Sequence, residues 1–75
     1  MDARNKRHKF VQIAEKRTSN ALQAIRIIGN LSNKSNYEYT ETDIKRITKA
    51  LEQEIKDLRT RFETSGAKSR PEFKL

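Results

Sequence analysis

Seventy-five residues, 33% hydrophobic and 36% charged, make one small domain near the size at which a single chain rarely buries enough apolar surface to be comfortably stable. With no cysteine, neither a disulfide framework nor a thiolate metal site is available as a staple, and no stretch approaches the ~20 apolar residues that span a bilayer. The net charge of +7 favours acidic partners, nucleic acid first among them.

The start, Met1–Lys9, is positively charged without a continuous apolar run behind it, so no secretory signal is read and a cytoplasmic protein is expected. A first helix is predicted over about 3–28, with Asp2 or Asn5 as N-cap. Its apolar face carries Phe10, Ile13, Ala14, Ala21, Ala24, Ile25 and Ile28, widened on one side by Val11 and Leu22. At the helical period this face spans roughly 180°. Gly29-Asn30 is expected to supply a left-handed stop.

The linker, 29–40, is rich in Asn and Ser, which favour turns by bonding their own backbone. In it Tyr37 and Tyr39 alternate, so in an extended segment both rings point the same way. They either lid the end of the helical core beside Leu31 or form a stacking platform for bases or a partner.

Thr40-Glu41-Thr42-Asp43 opens a second helix, predicted over about 41–63, with Thr40 as cap and two acids at the positive end of the helix dipole. Its apolar row is narrow: Ile44, Ile47, Leu51, Ile55, Leu58 and Phe62, spanning roughly 80°. Glu41–Lys45, Glu52–Lys56 and Asp57–Arg61 have the favoured acid-then-base spacing and mark a solvated outer face. Residues 64–75 read as a flexible basic tail.

A hairpin about the linker brings Ile28 near Ile44, Ile25 near Ile47, Ala21 near Leu51 and Phe10 near Phe62. The same register sets Arg17, in the middle of the first apolar face, opposite Glu54. An Arg17–Glu54 ion pair pinning the register is expected, against the alternatives of a snorkelling arginine or a contact for an external ligand. The narrow row cannot cover the wide face. Val11, Ile13, Leu22 and Ala24 are left for a dimer or partner interface.

Chemistry is sparse. His8 stands among cations with no orienting carboxylate, the acids are interleaved with Lys and Arg, and Gly29 and Gly66 are isolated. No catalytic residue, metal, cofactor or small-molecule substrate is expected. The charge sits at the ends: residues 1–31 carry a net +5, residues 32–63 are neutral and residues 64–75 carry +2. Arg4, Lys6, Arg7 and Lys9, with Lys16 and Arg26, are the candidate nucleic-acid contacts; scattered around the helix, they suit phosphate gripping rather than base reading. A linker of about ten residues excludes a helix-turn-helix, whose turn takes three or four.

The runs Phe10–Thr18, Ala21–Ile25, Ile28–Asn33 and Asn36–Thr40 resemble a group of short bacterial proteins associated with plasmids, phages and other mobile elements. The resemblance covers about residues 10–62 and implies that genetic context without implying an activity. The architecture is similar to that of plasmid copy-number regulators built as dimers of helical hairpins, a likeness of architecture only. The expectation is thus an all-α antiparallel two-helix hairpin, dimerising into a four-helix bundle. It would serve as a small non-enzymatic regulator that binds DNA or RNA, or alternatively as a module docking its apolar face onto a partner protein, with no membrane association.

Overall fold

The computed structural model describes residues 3–66. They form two long helices, α1 (Ala3–Gly29) and α2 (Glu41–Gly66), with a 3-10 turn, Asn30–Ser32, directly after α1. No strand occurs among the described residues. The chain divides into two units between Glu38 and Tyr39, the first holding α1 and its 3-10 turn, the second holding α2.

α1 runs for 27 residues because nothing in it opposes a helix until its last position: it contains no proline, and its only glycine is Gly29. Asn5 lies inside the helix and is not its cap, and Asp2 is outside the described residues. The expected left-handed stop at Gly29 is corrected. Gly29 is right-handed, at φ −60° and ψ −26°, and hands the chain to the 3-10 turn instead. Tightening the last turn in this way is a second route to satisfying terminal carbonyls. The chain leaves the turn at Asn33, where ψ swings to 102°.

Asn33 organises the segment after this turn. Its carbonyl accepts from the N–H groups of Asn36 (3.1 Å) and Tyr37 (3.0 Å). Its side-chain oxygen accepts from the N–H of Ser35 at 2.9 Å, an Asx turn. The irregular segment is therefore shorter than expected, reduced to residues 33–40.

α2 starts at a reciprocal box. Asp43 N–H donates to Thr40 Oγ1 at 3.1 Å, and Thr40 N–H donates to Asp43 Oδ2 at 2.9 Å. The first helical bond, Ile44 N–H to the Thr40 carbonyl, forms at 3.2 Å. The expected end near residue 63 is also corrected, since α2 continues through Gly66. In this extension Thr64 donates its hydroxyl to the carbonyls of Thr60 (3.0 Å) and Arg61 (3.3 Å), as Thr48 and Thr60 do to carbonyls of their own preceding turns. Residues 67–75 of the expected tail lie outside the described residues.

Among the described residues no side chain is buried. Val11, Ala14, Tyr39, Leu51 and Thr64 are half-buried, and the other large members of both apolar rows, from Ile28 and Ile44 at 37% to Ile55 and Phe62 at 59%, are exposed. Each helix is amphipathic, but neither apolar row is enclosed. Ile27, which lies off the α1 face, is 54% exposed.

Candidate nucleic-acid interface

Arg4, Lys6, Arg7, His8 and Lys9 occupy the first two turns of α1, and all five are exposed. At 100° per residue they surround the helix as a cuff rather than lining one side. Lys16 and Arg26, also exposed, stand about two turns and five turns after Lys9. Lys9 and Lys16 share one flank, and Arg4 and Arg26 share another.

The electrostatics of this cuff run against helix stability. A helix N-terminus carries about half a positive charge and favours acids, yet the first turn of α1 holds none. α2, by contrast, begins with Glu41 and Asp43. Arg7 offsets part of the cost locally, its guanidinium carbon standing 5.9 Å from the Phe10 ring centroid at the outer range of a cation–π contact. Phe10 thereby ties the start of the apolar face to the cuff.

The two tyrosines differ in setting. Tyr37 belongs to the first unit and is 48% exposed, whereas Tyr39 belongs to the second and is half-buried. Within the proposed interface set on α1, Val11 is half-buried, while Ile13, Leu22 and Ala24 are exposed. Arg17 on α1 and Glu54 on α2 are exposed as well. On the outer face of α2, Arg59 Nε lies 3.5 Å from Glu63 Oε2, and Gln53 Nε2 donates to Asp57 Oδ1 at 3.0 Å. Neither pair was legible in the acid-then-base pattern, because one runs base to acid and the other uses a neutral amide.

An open depression on α1 is lined by Ala14, Glu15, Thr18 and Ser19, which bring one carboxylate and two hydroxyls to it. Among the described residues there is no group of three or more His, Asp or Glu placed to hold a metal ion. No helix among them is long and apolar enough to cross a membrane. The arrangement offers positive charge and apolar surface, and thus binding chemistry. No family model matches the chain, and neither does any curated protein or solved structure.

Proposed function

We propose that this is a small non-enzymatic regulatory protein that grips a nucleic-acid backbone with the basic start of α1. The observation that carries this reading is the cuff of Arg4, Lys6, Arg7 and Lys9 at a helix end whose dipole disfavours cations. Local choices that oppose stability concentrate where function needs them. A ring of cations with no acid among them suits phosphates approaching from any side, and Lys16 and Arg26 extend the same field along α1. Binding of this kind has no base readout and releases counterions, so it weakens steeply with salt.

The test is a mobility-shift titration with generic duplex DNA and RNA at two salt concentrations. Replacing Arg4, Lys6, Arg7 and Lys9 together by Gln is expected to weaken binding to every sequence and to reduce the salt slope by about 4. Absence of binding by the parent protein at low salt would falsify this reading. The alternative, docking onto a partner protein, draws on the exposed apolar positions Ile13, Leu22 and Ala24 with half-buried Val11 beside them.

Either role needs the apolar rows covered. We further propose an antiparallel hairpin of α1 and α2, pinned by Arg17 and Glu54, and its assembly as a homodimeric four-helix bundle. Support comes from the unequal widths of the two rows and the absence of a buried side chain among the described residues. We propose as well, from the resemblance of the runs 10–18, 21–25, 28–33 and 36–40 alone, that this regulator belongs to a bacterial mobile element and acts in the cytoplasm.

A further inference from the structure

Five of the six residues in the apolar row of α2 read the same in both directions; the sixth, Phe62, lies beyond the repeat and has Thr40 as its mirror position. Ile44, Ile47, Leu51, Ile55 and Leu58 are spaced by three, four, four and three residues, a palindrome centred on Leu51. All five lie on one continuous helix, Glu41–Gly66, which no proline or internal glycine interrupts. Leu51 is half-buried, whereas Ile55 and Leu58 are 59% and 52% exposed. Such a row is self-complementary under a two-fold axis, the requirement for the same patch to face itself in a symmetric dimer.

The charges beside the row obey the same symmetry. Within about 80° of its midline the charged residues are Glu41, Asp43, Glu54, Arg59 and Arg61. In an antiparallel pair the same flank of each helix meets. With the axis at Leu51, Glu41 then lies beside Arg59 of the partner subunit, and Asp43 beside Arg61 of the partner subunit. Each pair is offset by about 3 Å along the helix, within reach of an arginine side chain. Glu54 meets no acid in this register. Arg59 is accessible for the role, its side chain being 82% exposed in the loose contact with Glu63.

We infer that α2 is a homotypic docking surface whose occupant is α2 of a second copy, antiparallel and centred on Leu51. Ile44 then packs on Leu58 of the partner subunit, Ile47 on Ile55 of the partner subunit, and Leu51 lies on the two-fold axis. The inference rests on the dimer proposed above and departs from its hairpin: α2 of the second copy, in place of α1, then covers this row. Charges of both signs along a row only roughly 80° wide suit another helix better than an anionic lipid surface, which favours Lys and Arg and a broad apolar arc.

The absence of cysteine permits a clean test on the full chain. Single variants Leu51→Cys and Ile44→Cys are treated with diamide, which takes the two electrons and two protons of disulfide formation, and dimer is scored on a non-reducing gel. Leu51→Cys is expected to cross-link to itself at least about tenfold faster than Ile44→Cys. In the proposed register two copies of position 44 lie about 21 Å apart along the axis, beyond any disulfide. Combining Ile44→Cys with Leu58→Cys in one chain is expected to restore cross-linking.

Light scattering separates the failures. A folded monomer at high concentration overturns both the dimer and this inference. A dimer in which Ile44→Cys links as fast as Leu51→Cys means a parallel pair and overturns the register alone. A dimer in which neither links places α2 away from the two-fold axis and also overturns it. As a check less demanding of packing, Arg59→Glu is expected to weaken dimerisation and Glu41→Arg with Arg59→Glu to restore it; no rescue counts against the register.

Discussion

Thr40 and Asp43 each satisfy the other's backbone N–H, so two of the four free donors at the start of α2 are held by side chains rather than by water. Aspartate fills the place that glutamate usually takes in such a box, and its shorter side chain still closes the bond at 2.9 Å. Thr40→Ala removes the acceptor for Asp43 N–H and is expected to cost about 1 kcal/mol. Urea titration of the helical circular-dichroism signal measures it; an unchanged midpoint would mean that the box does not limit helix stability. The role of Thr40 as a cap and the two acids at the helix start were legible from residue types. The reciprocal bond was not, because it depends on the rotamer of Asp43. Asn33, whose carbonyl and side chain together gather three N–H groups, was visible only as one member of a turn-forming run.

At the scale of the elements, sequence patterns placed both helices and their apolar rows but misjudged how α1 stops and where α2 ends. The reason is the same in each case. Glycine and the Ser/Thr pair are permissive rather than prohibitive, and the surrounding backbone decides. Gly29 takes the right-handed conformation and carries α1 into a 3-10 turn, and α2 continues three residues past the expected end, with Thr64 bonded back to its own helix. Gly29 thus keeps the entropic cost of glycine with no need for its freedom. A Cβ added there meets nothing within 4 Å. Gly29→Ala is therefore expected to stabilise α1 by about 0.5–1 kcal/mol, contrary to the loss expected at a left-handed cap. Thermal unfolding followed at 222 nm distinguishes the two signs.

For the whole molecule, composition made a helical protein with an uneven positive field legible, since charge and period are properties of the chain as written. The candidate contacts Arg4, Lys6, Arg7 and Lys9 were found the same way. Their opposition to the α1 dipole follows from the start of the helix at Ala3, which places them in its first two turns. Burial was beyond sequence reasoning, because it depends on what a row meets and not on what it contains. No side chain is buried among the described residues, and in proteins most helical stability comes from packing an amphipathic face. In the proposed dimer, stability comes in part from association and obeys mass action. Diluting the protein from about tenfold above to about tenfold below its dimer dissociation constant is expected to lose more than half the 222 nm signal. A signal independent of concentration would show that each chain holds its helices unaided.

The proposed dimer also bears on the lifetime of the protein in a cell. A chain that folds only in company is a substrate for proteases whenever it is scarce, because degradation tracks the population of the open form. Newly made copies below the association threshold would be cleared, while those above it would persist. Turnover would therefore depend on abundance. A small regulator built this way has a threshold in its own dose response, set by the exposed rows of α1 and α2 and needing no additional component.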